Sequence, residues 1–206
     1  MGHCLFMRKG SVHTVPGSRL PAGYTELAYI QSSGTQYVNT GEVLTEQSKV
    51  ELVFSLLNTS ETASVFGSRK SATEGNFTFT QVGGDIQVDY RNYSQNRFKT
   101  AIGTNKTTIQ IGGGSCLINS IAYQITGSDT FTTPDYVYIF SASGSPPTSL
   151  KAKAKLYSCK IYDNDVLVRD FVPCINASGE VGLYDLVGKQ FYGNAGTGVF
   201  TGSEVA

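Results

Sequence analysis

Residues Lys151–Thr201, KAKAKLYSCKIYDNDVLVRDFVPCINASGEVGLYDLVGKQFYGNAGTGVFT, decide the fold. In YSCKIY, Tyr157, Cys159 and Ile161 fall on one face of an extended chain, and Ser158 and Lys160 fall on the other. Asp163-Asn164-Asp165 reads as a turn, because short Asx side chains bond their own backbone and tolerate unusual φ values. VLVRDFV then returns as the partner strand of a β-hairpin, which Pro173 should end because proline cannot donate to a ladder. GEVGLYDLV and KQFYGNA form a second hairpin around Gly188, with Gly193, Gly196 and Gly198 at the next corners.

The same alternation runs through the rest of the chain. Tyr24–Gln31 and Gln36–Thr40 flank the turn Ser32-Ser33-Gly34. KVELVFSLL (Lys49–Leu57) places Val50, Leu52, Phe54 and Leu56 on one face, and Ala63–Arg69 is a further strand. NFTFTQV (Asn76–Val82) turns at Gly83-Gly84 into IQVDYR, with Phe77, Phe79, Ile86, Val88 and Tyr90 inward. Phe98–Ile102 and Thr107–Ile111 read as a pair about Gly103-Thr104-Asn105. Cys116–Ile125 and Val137–Ala142 are the next strands, followed by a loop at Pro146-Pro147. About a dozen short strands broken by glycine-rich turns, with no sustained 3.6-residue stripe, predict an all-β sandwich or barrel.

The 206 residues are most economically one large domain at 20–206, preceded by a compositionally distinct segment at 1–19. That segment holds both histidines, His3 and His13, and a short apolar run, Cys4-Leu5-Phe6-Met7, ahead of the basic pair Arg8-Lys9. It reads as an anchoring arm for a partner surface. The apolar run is too short for a signal-peptide core, and no stretch approaches a membrane span. Sixteen basic and sixteen acidic residues cancel without long runs of one sign, which disfavours a nucleic-acid-binding face. Cys4, Cys116, Cys159 and Cys174 match no metal or redox spacing and read as reduced thiols. A Cys159–Cys174 bridge across the hairpin region is the alternative.

LPAGYTELAYIQSSGTQYVNTG (Leu20–Gly41), together with KIYDN and VRDFVP in the deciding stretch, resembles the laminin-G-like, concanavalin-A-like jelly-roll domains of bacteriophage structural proteins and gut-bacterial surface proteins. The resemblance spans roughly Leu20–Gly202. It implies a two-sheet antiparallel jelly-roll sandwich at the surface of a virion or cell. It further implies a protein made in the bacterial host cytoplasm and carried on the virion surface. The arm would bind capsid, tail or fibre proteins, in a homo-oligomer that is trimeric in a fibre. Relatives often hold a calcium ion at the rim, for which Asp163 and Asp165 are weak candidates here. No other cofactor is implied.

Some proteins of this superfold are glucanases, which need two facing carboxyl groups. The chain lacks their E-x-D-x-E triplet, and the nearest pairs are Asp85 with Asp89 and Asp163 with Asp165. The domain from Leu20 onward contains no histidine, so Ser-His-Asp and Cys-His catalysis fail on inventory. Gly112-Gly113-Gly114 lacks the following Lys-Ser/Thr of a phosphate loop. The expectation is a non-enzymatic protein. Sugars are held by aromatic faces and planar polar groups, and with no Trp in the chain Tyr must serve. Arg69, Asp89, Arg91, Asn92 and Tyr93 are the candidate glycan-binding residues, with Arg69 a candidate partner of Asp89 and Tyr90 expected in the core.

Overall fold

The structure, a computed structural model, describes residues 19–71, 73–144 and 151–205. Cys4, Leu5, Phe6, Met7, Arg8 and Lys9 of the expected arm lie outside the described residues, as does the loop at Pro146-Pro147. Seventeen strands and no helix occur among the described residues. They are β1 (Tyr24–Ser33), β2 (Val38–Asn39), β3 (Ser48–Leu56), β4 (Thr62–Arg69), β5 (Asn76–Val82) and β6 (Asp85–Arg91). Then come β7 (Arg97–Ala101), β8 (Thr107–Gly112), β9 (Ser115–Ile118), β10 (Ile121–Gln124), β11 (Tyr138–Ile139) and β12 (Ser143–Gly144). The last are β13 (Lys153–Asp163), β14 (Val166–Asn176), β15 (Val181–Asp185), β16 (Gln190–Tyr192) and β17 (Thr201–Glu204).

The strands form two sheets, as a jelly-roll sandwich requires. The larger has the order β10-β9-β8-β3-β13-β1-β14-β15-β16, with β17 on β1, and the smaller has the order β2-β11-β4-β5-β6-β7, with β12 on β4. The strand ladders are antiparallel except for β12 against β4. Their inner faces enclose one core, to which β3 contributes Val50, Leu52, Phe54 and Leu56, and β5 and β6 contribute Phe77, Phe79, Ile86, Val88 and Tyr90. The rings of Phe66, Phe77 and Phe79 lie against one another with centroids 5.2–6.3 Å apart. Each such buried side chain stabilises the fold by about 1.5–3 kcal/mol relative to exposure.

The deciding hairpin is β13–β14. Asn164 and Asp165 form its two-residue loop with φ of +48° and +65°, the left-handed pair that matches the twist of the flanking strands. β13 and β14 pair from Asp163–Val166 to Cys159–Phe171 and then part. β1 lines the inside of the resulting fork. Its Tyr24–Glu26 run antiparallel to Asn176–Cys174 of β14, and its Ile30–Ser33 run antiparallel to Leu156–Lys153 of β13. β17 pairs with β1 across the bend, where the register slips between Leu27 and Tyr29.

Three expectations change at this fork and beyond it. Pro173 does not end its strand, because β14 continues to Asn176. Pro173 lies where β14 exchanges β13 for β1 on one side, between the last pair at Phe171 and the first at Cys174, so no ladder donor is missed there. Tyr157 does not share the inner face with Cys159 and Ile161. A bulge between Leu156 and Ser158 turns its ring outward against Tyr29, with centroids 5.9 Å apart. β7 and β8 are not a pair: β7 edges the smaller sheet on β6, while β8 lies beside β3 in the larger, so Ile102–Lys106 crosses between sheets.

Two expected strands are also broken. Asn119, with φ +54°, divides Cys116–Ile125 into the hairpin β9–β10. At Phe140 a φ of +64° interrupts the alternation, so Ile139 and Phe140 both enter the core.

The QSSGTQY motif closes the structure at its other end. Buried Gln36 accepts at Oε1 from Ser33 N (2.8 Å) and Ser32 Oγ (3.1 Å), and its Nε2 donates to Val199 O at 3.0 Å. The motif is therefore a clasp between the β1–β2 loop and the segment leading into β17.

Cys116, Cys159 and Cys174 are free and buried. Cys159 faces the main core, whereas Cys174 joins Leu20, Val172 and Tyr184 on the opposite face of the larger sheet, which excludes the alternative bridge. Burial pushes the Cys116 and Cys174 thiols up to about 12 and Cys159 further still. The unfolded chain releases these protons near pH 9 and the folded chain retains them. Stability is therefore full below about pH 9 and falls above it, by up to about 1.4 kcal/mol per thiol per pH unit. Urea titrations at pH 8, 9 and 10 should show this decline, and Cys116→Ser, which removes one such thiol, should shallow it.

Candidate functional site

Cross-strand register lays one row of residues across the outer face of the smaller sheet: Asn39, Tyr138, Gly67, Thr78, Asp89 and Arg97. Gly67 is obligatory in this row, since its φ is +135° and a Cβ there would stand 2.0 Å from the Phe77 carbonyl oxygen. Asp89 is only 4% exposed. Its carboxylate accepts from Arg97 Nε at 2.7 Å and Nη2 at 3.0 Å, and from Gln87 Nε2 at 3.2 Å. The Tyr93 ring lies 4.2 Å from the same guanidinium. Arg69 is therefore not the partner of Asp89. Arg97 stands directly opposite Asp89 on the adjacent strand, while Arg69 sits on β4 with β5 between them.

The other two candidates, Arg91 and Asn92, turn away from that row into a cleft of about 350 Å³ at the end of the sandwich. Lys70 and Glu74 from the loop after β4 line one side, and Asp129 and Phe131 from the β10–β11 connection line the other. Arg91 adopts φ +59°, and its Nη1 donates to Gly127 O at 2.6 Å. Asn92 Oδ1 accepts from Ser94 N at 2.9 Å, which closes the turn at the edge of the cleft. Phe131 packs against the buried Tyr90 ring, 5.1 Å between centroids, as the expected core position of Tyr90 allows. The backbone N–H of Phe131 donates to Glu46 Oε2 at 3.1 Å, and backbone donors at Glu46 and Phe131 hold that carboxyl below its usual range. Lys70 and Glu74 pair at 2.8 Å, whereas Asp129 has no ion-pair partner among the described residues.

The carboxylate pairs take other roles. Asp85 and Asp89 are four residues apart on one strand, about 13 Å, outside the separations that glycosidase pairs use. Each is paired with its own cation, Lys99 for Asp85 and Arg97 for Asp89. Of the weak calcium candidates, Asp163 precedes the two-residue turn and Asp165 is its second residue. Asp165 is ion-paired with Lys49, and Asp163 Oδ2 accepts from Asn164 Nδ2 at 3.3 Å. Among the described residues no three His, Cys, Asp or Glu side chains come together as a metal site.

A second cluster, unmarked in the sequence reading, lies under the VRDFVP motif. Arg169 Nη2 pairs with Glu42 Oε1 at 2.7 Å, and Nη1 lies 3.6 Å from Oδ2 of the wholly buried Asp185. Asp185 also accepts from the N–H groups of Asp170 (2.9 Å), Val187 (3.0 Å) and Gly188 (3.0 Å), and so organises the β15–β16 turn. Burial pushes the Glu42 carboxyl up, against the opposing pull of Arg169. The signal that could have exposed this node was an Arg between two inward-packing positions of a strand, next to a Gly-Lys hairpin headed by Asp.

Compared with known proteins, the sequence matches no family model and no curated protein. Replacing Arg169 would strand the Asp185 charge in the interior. Arg169→Ala should therefore cost about 3–5 kcal/mol, read as a lowered urea midpoint, and Arg169→Lys should recover only part of it.

Proposed function

We propose that the chain is a non-enzymatic structural protein of a phage or prophage particle, synthesised in the bacterial host cytoplasm and carried on the virion surface. Residues 1–19 anchor it to capsid, tail or fibre proteins, and the jelly roll projects as an adhesion module for host or mucosal glycans. The observation that carries the glycan reading is the rim cleft. An aromatic ring, Phe131, is bordered there by amide and guanidinium donors, Asn92 and Arg91, and by a carboxylate acceptor, Asp129. Those types match a pyranose, whose apolar face packs on a ring while paired hydroxyls both donate and accept. The virion assignment is supported by the resemblance at QSSGTQY, KIYDN and VRDFVP.

A second reading, a stand-alone lectin module of a bacterial surface protein, is favoured by one fact: the described residues that line the cleft all fall within 70–132. Deleting residues 1–19 separates the two. The particle reading expects loss of virion incorporation with glycan binding intact, and the lectin reading expects nothing to be lost. On a glycan array the full-length protein should bind a sugar, and Asn92→Ala or Asp129→Ala should weaken that binding by about tenfold, the loss of one or two hydrogen bonds. Undiminished binding by both variants would move the site elsewhere, and no binding on any array would leave the module a decoration.

A further inference from the structure

A groove of about 410 Å³ lies beside the β13–β14 turn, far from the rim cleft in sequence. Its walls include Val43, Leu167, Val168 and Val187, with Glu42 and Asp163 at its polar side. Val43 and Val187 are 39% and 42% exposed, and Val166 on the adjacent turn is 64% exposed. Apolar side chains gathered at one place on a surface mark a contact site more often than scattered ones do. The charge beside them is unbalanced. Arg169 is shared between Glu42 and Asp185, while Asp163, which accepts from the Asn164 amide, has no cation paired with it among the described residues. Lys49, the nearby cation, is held by Asp165. The groove therefore suits a short apolar segment that carries positive charge at one end.

The chain itself contains such a segment in Leu5-Phe6-Met7-Arg8-Lys9. We propose that the groove receives Leu5–Lys9 of a second copy, with the apolar side chains against Val43, Val168 and Val187 and the basic pair against Asp163. This rests on the reading of residues 1–19 as an anchoring arm, and it names the arm's partner as another copy of the same chain. Lys9 lies ten positions before Arg19, so the segment can extend about 33–36 Å from its own domain, enough to cross to a neighbour. Arm exchange of this kind links identical copies head to tail, and closes into a ring wherever the rotation between copies allows.

Sedimentation of the full-length protein over a range of concentrations tests the idea. The wild type should self-associate. Asp163→Lys and the double change Arg8→Glu/Lys9→Glu should each weaken association by about tenfold or more, as like charges brought together do, and Val43→Asp should do so by setting a carboxylate among the apolar side chains. Combining Asp163→Lys with Arg8→Glu/Lys9→Glu should restore most of it. All these positions lie on the surface or in the leader, and an unchanged melting temperature for each variant shows that folding is intact. A wild-type protein monomeric throughout, association indifferent to Val43→Asp, or a charge reversal that does not restore it would overturn the proposal. So would Lys9 cross-links confined to single chains in a mixture of isotope-labelled and unlabelled protein. If deleting residues 1–19 abolishes particle incorporation yet leaves self-association unchanged, this proposal falls and the anchoring reading stands.

Discussion

The hydrogen-bonding of β1 inside the β13–β14 fork is the constraint from which the rest of the sandwich follows. A hairpin whose strands part leaves two rows of backbone donors and acceptors facing each other across a widening gap, and buried groups of that kind must be paired. One bent strand answers both rows, running in along β14 and out along β13. The special residues of this region sit where the geometry changes. Pro173 occupies the step at which β14 has lost β13 and not yet met β1, and the Tyr157 bulge occupies the matching step on β13. The Gln36 clasp and β17 then secure the outgoing end of β1.

Much of this was legible from local chemistry. Alternation identified the inward residues of β3, β5 and β6, and Asp163-Asn164-Asp165 declared a turn because short Asx side chains tolerate unusual φ, though not that its loop is only Asn164-Asp165. What failed did so for tertiary reasons. Proline argues against a strand only where a donor is needed, and whether one is needed depends on a neighbour more than a hundred residues away. A bulge at Tyr157 breaks the period of two, so Tyr157 faces outward while Cys159 and Ile161 keep the inward face that alternation assigned them. Ile102–Lys106 has the composition of a hairpin turn, and nothing local says that it leads to the opposite sheet.

The site shows the same division. Asp89, Arg91, Asn92 and Tyr93 are neighbours in sequence, yet Asp89 and Tyr93 converge on Arg97 while Arg91 and Asn92 face the rim cleft. The change of direction follows from the positive φ at Arg91, which ends the strand's alternation. Asp129 and Phe131, which complete the cleft, come from a long connection with no strand pattern to place it. Arg169 was hidden for the opposite reason: its partners Glu42 and Asp185 lie elsewhere in the sequence, and only the fold brings them to it.

The nested strand also sets an order of events during synthesis. β1 leaves the ribosome before both of the strands that flank it and before the clasp at Val199. Until β13 and β14 have emerged, β1 lacks the neighbours between which it lies in the sheet, and such distant pairing makes for slow closure. The nascent protein must therefore hold an edge-bare strand in waiting, which is captured only when the fork forms around it.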